Sequence, residues 1–209
     1  MLLERDGELA AARPRRPRPG SAWAPERRRG HHLPIPVRRR CARLDAVNTI
    51  ELSDLAPDFV TAAHTIVYCA VGSVDAKGRP TSRVMHPIWE WDGERLTGWL
   101  TTTPSPKLRQ LAAHPYVSCA YYDSWAVAAV ADGRVEPVAD DAERTRIWEL
   151  FGATPPPLGY EPDAIGVPGW DGPTAPGFVM ARVDPWRVQV RRATPGVGVE
   201  LRTWHAATP

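Results

Sequence analysis

The 209 residues, 43% of them hydrophobic, suffice for one domain with a substantial core. The formal charge of +2 conceals a division: residues 1–46 hold twelve arginines, no lysine and five acids, a net +7, which leaves −5 for residues 47–209 and gives a nucleic-acid surface on the main domain no support. Three cysteines, Cys41, Cys69 and Cys119, suit neither a disulfide framework nor a zinc site, and no apolar run approaches the ~20 residues of a membrane helix, so a reducing, cytoplasmic setting without a membrane partner is expected.

Residues 1–46 read as a disordered leader, because arginine, proline and glycine dominate and hydrophobic periodicity is absent. A basic arm for acidic surfaces, a targeting segment and a start-site artefact compete as explanations. The artefact is preferred, since a chain starting at Val47 would have a natural beginning. The main domain is expected over 47–192.

Residues 53–63 predict a helix capped by Ser53, with Leu55, Phe59, Ala62 and Ala63 at helical spacing. A β-branched run, 65–74, predicts the first strand. After a turn at Asp75, Lys77 and Gly78, residues 79–90 predict a second strand. Val84, His86 and Ile88 are expected on one face of it, and Arg83, Met85 and Trp89 on the other. Asp92-Gly93 is a hairpin signal, leading to a third strand over 95–101.

A hydroxyl-rich turn, Thr101-Thr102-Thr103-Pro104-Ser105, then enters a helix with Pro106 in its first turn and Pro115 just past its end. Strands are expected at 116–122 and 125–137, and a helix over 140–152. A proline- and glycine-rich loop, 152–177, is long enough to be a lid. The last firm strand covers 177–190. Residues 193–209 read as an irregular tail, with an optional strand over 197–204. Five or six short antiparallel strands and two or three helices argue for a mainly β fold, a small barrel with peripheral helices.

An arginine in mid-strand is costly to bury unless an anion answers it. Guanidinium matches phosphate oxygens in a bidentate fork, so Arg83 is a candidate phosphate ligand; a solvated strand arginine is the plainer alternative. The start of the helix after Ser105 offers free N–H groups and a positive dipole end. Ser105 adds a hydroxyl and Lys107 a cation. Arg83, the 101–103 threonines, Ser105 and Lys107 are expected to converge on one phosphate.

The ordered set Gly78-Arg79-Pro80, Arg83-Val84, His86-Pro87-Ile88-Trp89-Glu90, Trp91-Asp92-Gly93, Ser105-Pro106-Lys107 and His114-Pro115 resembles the pyridoxamine 5′-phosphate oxidase-like, flavin-binding split-barrel superfamily. The resemblance covers roughly residues 54–190. It implies a six-stranded antiparallel split barrel, a homodimer, and a cofactor at the dimer interface: FMN, the deazaflavin coenzyme F-420, or in occasional members haem. It further implies that Arg83, Ser105 and Lys107 bind phosphate. Val84, Met85 and His86 would lie beside the flavin ring, Thr101 and Thr102 would meet it from the next strand, and Trp186 would reach it from a late strand, from the partner subunit in some members.

Two departures separate the chain from authentic pyridoxamine phosphate oxidases. Pro106 replaces a basic residue between Ser105 and Lys107, and Arg202-Thr203-Trp204-His205 lacks the spacing of their substrate signature. The implied function is a flavin- or deazaflavin-dependent oxidoreductase acting on a small conjugated or quinone-like substrate; the alternative is a carrier of flavin or haem without turnover. In such enzymes the cofactor carries the hydride chemistry, and the protein supplies position and a dry pocket. Trp89, Trp99, Trp125, Trp170 and Trp186 are candidates for its walls, and His86 for a donor to ring or substrate.

Overall fold

The structure, a computed structural model, describes residues 48–123 and 126–207, apart from the side chains of Asn48, Pro106, Lys107 and Arg109. The leader, Cys41 and Trp125 lie outside the described residues. In chain order these contain β1 (Asn48–Thr49), α1 (Leu52–Ile66), β2 (Cys69–Val74), β3 (Pro80–Met85), β4 (Ile88–Trp91), β5 (Leu96–Thr102), α2 (Pro106–Ala113), β6 (Tyr116–Asp123), β7 (Val127–Pro137), α3 (Asp141–Ala153), β8 (Val179–Thr194) and β9 (Gly198–His205).

α1 begins one residue before its expected cap. Glu51 holds the cap position without a side-chain bond, and Ser53 lies inside the helix. It also outruns the predicted helix by three residues, through Thr65 and Ile66, because the buried face of Leu55, Phe59, Ala62 and Ala63 overrides the β preference of the branched run. Val67 then turns the chain at φ 68°, a costly conformation for a β-branched residue, and its buried side chain holds the turn.

The predicted second strand is two strands. β3 pairs only with β2, and β4 only with β5. The break falls at His86-Pro87, where proline has no N–H for a ladder. The common face expected for Val84, His86 and Ile88 is therefore lost: Ile88 is buried, whereas Val84 is exposed at the sheet edge. The Asp92-Gly93 hairpin forms as read, with Asp92 Oδ1 accepting from the amides of Glu94 and Arg95 at 2.8 and 2.7 Å and Gly93 at φ 100°.

The sheet runs β1-β9-β8-β7-β6-β2-β3, with β5 attached to β8 and β4 to β5. No ladder among the described residues joins β3 to β4 or β5, yet side chains from β2, β4, β5, β6, β7 and β8 share one core with α1. The sheet thus curls into a split barrel closed by side chains. It is mainly β and antiparallel as expected, with nine strands among the described residues. The additions to the six are the divided second strand, β1 and β9. β9 corrects the irregular tail: all eight of its residues pair with β8 from Arg187↔His205 to Thr194↔Gly198, and β1 runs parallel to it. Its apolar residues Val199 and Leu201 stay exposed, which weakened the sequence signal.

Trp89 fills the barrel interior. Its ring lies edge-on to Phe59 at 4.9 Å, and its Nε1 donates to the Tyr121 hydroxyl at 2.7 Å. Opposite it in β5 stands Gly98, where an added Cβ would come within 2.8 Å of the indole. Alternate residues of the same strands, Ile88, Trp99 and Met180, face outward into a second core under α3 with Phe151, Trp170 and Phe178. No helix among the described residues is long and apolar enough to cross a membrane.

Gly98→Ala is expected to lower stability by about 1–3 kcal/mol through overpacking against Trp89, read by denaturant unfolding. The backbone N–H of Trp89 donates to His64 Nε2 at 3.0 Å, so that nitrogen carries no proton, and burial lowers the His64 pKa below 6.5. A depressed folded pKa means the unfolded chain takes up protons first; the stability is complete above about pH 6.5 and is lost as pH falls through the folded value. Melting temperature should fall between pH 7 and pH 5, and His64→Gln, which keeps an acceptor but does not titrate, should flatten that fall.

Candidate functional site

The end of β3, the end of β5, the start of α2 and the loop after α3 meet at one side of the barrel. Arg83, Met85, Thr102 and Ser105 line a small cavity there with apolar residues of β2, α2 and β8. Ser105 is the N-cap of α2, but its side chain caps nothing, and its buried Oγ has no hydrogen-bond partner. A buried hydroxyl in that state is unusual, and it sits where helix amides and dipole favour an anion. Arg83 is exposed at the edge strand, and no carboxylate of the described residues pairs with it. The structure therefore brings Arg83, Thr102 and Ser105 together around one small cavity. They converge by a route other than the one read from the sequence, because β3 and β4 are separate strands. The Lys107 side chain lies outside the described part.

Met85 and Leu100 also line a larger cavity of about 360 Å³, shared with Val84, His86 and Thr101. Its far wall is the loop over 154–178, which contributes Pro157, Gly159, Tyr160, Ile165 and Trp170. The loop is folded back on the end of α3: Gly159 N donates to Pro155 O at 3.1 Å and Tyr160 N to Phe151 O at 3.0 Å. Gly159 tolerates no side chain, since a Cβ would meet the Thr154 carbonyl oxygen at 1.9 Å. This fold-back sets the Tyr160 hydroxyl in hydrogen bond with Thr101 Oγ1. Trp170 stacks on Tyr160 with centroids 6.2 Å apart and 24° between planes, and its Nε1 is buried without a partner.

His86 stands between two tyrosines, its ring edge-on to Tyr68 at 5.4 Å and to Tyr160 at 5.2 Å. Burial lowers its pKa, which favours neutral imidazole, able to donate from one nitrogen and accept at the other. Burial pushes the Tyr160 pKa up to about 12, only partly opposed by the Thr101 bond, so the phenol keeps its proton at neutral pH. Among the described residues no cluster of histidine, cysteine or carboxylate side chains is arranged to hold a metal.

Of the expected ring neighbours, Val84, Met85, His86 and Thr101 share the larger cavity, Met85 also lines the smaller one, and Thr102 lines only the smaller. Trp186 is not brought to them: it is 45% exposed on β8, with the Arg187 guanidinium 5.8 Å from its ring centroid, and lines neither cavity. Of the other tryptophans, Trp170 reaches the cavity, whereas Trp89 fills the barrel and Trp99 packs in the outer core beneath Arg146. Tyr68, Leu100, Tyr160 and Ile165 were not singled out by sequence. The usable signal was an aromatic pair, Tyr160 and Trp170, inside a loop rich in proline and glycine.

A profile of the pyridoxamine 5′-phosphate oxidase family matches residues 56–189, well over half of the chain. No curated protein sequence is similar enough to match. Among solved structures, a pyridoxamine 5′-phosphate oxidase-related, FMN-binding protein of Nostoc punctiforme PCC 73102 is 14% identical, covers 78% of this chain and 100% of its own, and superposes with a TM-score of 0.54. A protein of Clostridium acetobutylicum related to general stress protein 26 of B. subtilis, of the pyridoxinephosphate oxidase family, is 15% identical over 73% of this chain and 95% of its own, with a TM-score of 0.51. Those likenesses speak to the split barrel; the profile speaks to ancestry, and by it this chain belongs to the pyridoxamine 5′-phosphate oxidase family.

Proposed function

We propose that this chain is a flavin-binding oxidoreductase that takes FMN or a deazaflavin and moves hydride to or from a small conjugated or quinone-like substrate. The observation that carries the reading is the buried, unpartnered Ser105 hydroxyl at the start of α2, sharing a cavity with Arg83 and Thr102. A phosphate there would satisfy the hydroxyl, answer the guanidinium and meet the positive end of the helix. The adjoining cavity, lined by Val84, Met85, His86 and Thr101, is apolar and aromatic enough for a planar ring. The FMN-binding relative from Nostoc supports the same choice of cofactor.

In this reading Arg83, Ser105 and the amides of α2 hold the phosphate, and Lys107 adds charge. A bound flavin supplies the hydride chemistry. The chain's own residues orient the ring and exclude water: Met85 and Leu100 form the apolar floor between the two cavities, the 154–178 loop covers the far side, and neutral His86 offers a donor. A homodimer completes the site. Val84, which lines the cavity, is 74% exposed, and Tyr68 beside it is exposed too, a rim suited to burial by a second copy. In that arrangement Trp186 acts on the partner's cavity.

Titration of the full chain with FMN, followed by tryptophan quenching, should give saturable binding. Arg83→Ala and Ser105→Ala should each weaken it by about 1–3 kcal/mol, the scale of a lost charged hydrogen bond, with circular dichroism unchanged. Unaltered affinity in both variants would refute the phosphate assignment.

A further inference from the structure

The larger cavity carries a chemical selectivity that the phosphate end does not explain. Among the described residues that line it, none bears a carboxylate, an ammonium or a guanidinium group. Its polar groups are the Tyr68, Thr101 and Tyr160 hydroxyls and the His86 ring, with the Trp170 indole in the same wall. Thr101 and Tyr160 have two hydroxyl protons between them and use one in their mutual bond, which leaves one O–H to donate elsewhere. The Trp170 N–H is a second donor, buried and without an acceptor in the protein. Buried donors are normally paired, so a wall with spare donors and no charge is suited to a neutral acceptor.

We propose that this cavity is a substrate subsite for an uncharged planar ring bearing a carbonyl oxygen, with Tyr160 and Trp170 as the residues that select it over phosphorylated or otherwise anionic compounds. The carbonyl oxygen accepts from the free hydroxyl of the Thr101–Tyr160 pair. The ring lies among Tyr68, His86 and Ile165. An anionic group brought into the same wall would lose its water and gain no cation in return. The proposal rests on the flavin-binding reading, which leaves the loop side of the cavity to a second ligand.

The test is calorimetric titration of the full chain, saturated with FMN, with 1,4-naphthoquinone and with 1,4-naphthoquinone-2-sulfonate, two probes that share a ring and differ by one charge. The neutral probe should bind at least about tenfold more tightly, and Tyr160→Phe should weaken it about tenfold, the ratio given by one lost hydrogen bond, at FMN concentrations that saturate each variant. Trp170→Phe should act in the same direction and serves as the second reading if Tyr160→Phe fails to fold by circular dichroism. Equal or tighter binding of the sulfonate overturns the proposal. So does unchanged binding in both variants, and so does exclusion of naphthoquinone by FMN, which would give the whole cavity to the cofactor's ring. If FMN itself does not bind, the flavin reading fails separately, and the same pair of probes on the chain without FMN still decides the selectivity.

Discussion

The structure depends on how Trp89 is held. β3 and the β4–β5 hairpin lie at opposite edges of the curled sheet with no ladder between them, so backbone hydrogen bonds do not close the barrel. Trp89 does so from inside. Its amide is bound to His64 of α1, its indole N–H to Tyr121 of β6, and its ring occupies the space that Gly98 leaves in β5 and packs on Phe59. One side chain thus ties a helix and three strands. Both hydrogen bonds run through buried or half-buried groups, where an unmade bond is costly.

That fixation places the site. Pro87 stops β3 from continuing into β4, and only Pro87 and Ile88 separate His86 from Trp89. Because Trp89 is anchored, His86 is held at the mouth of the barrel between Tyr68 and Tyr160. The strand break therefore positions the site: an unbroken strand would have carried the 83–86 segment along the edge of the sheet, away from the loop that covers it. The smaller cavity follows from β5 passing through the threonines into α2, where Ser105 begins the helix without spending its hydroxyl on the cap.

Much of this was legible in the residues. The Asp92-Gly93 turn dictates its hairpin by local chemistry, and Asp140 caps α3 by accepting from the Glu143 amide at 2.8 Å, in keeping with the acids that marked that helix start. Arg83, Ser105 and Thr102 do share one cavity, but across the unladdered side of the barrel and not along the single hairpin expected of them. What was not legible depended on tertiary packing. α1 runs through a β-branched stretch because its apolar face is buried. β9 presents few buried apolar residues, so pattern alone left it an optional strand in an irregular tail. Trp186 carries no local sign that it lies outside both cavities. Tyr160 reaches Thr101 only because Gly159 lets the loop fold onto α3, a contact between segments that no periodicity encodes.

The shortest element of the fold spans its greatest distance in sequence. β1 has two residues, yet it pairs in parallel with β9, joining Asn48 to Arg202 and Thr49 to Thr203, and Ile50 N adds a bond to Thr203 O at 3.0 Å. So few bonds cannot repay the entropy of closing a loop of that length from an open chain. They become favourable only after the intervening strands have brought β9 into place on β8. The pairing is thus a clasp that shuts late in folding, and the amide of Ile50 is a natural hydrogen-exchange reporter of whether the barrel behind it is assembled.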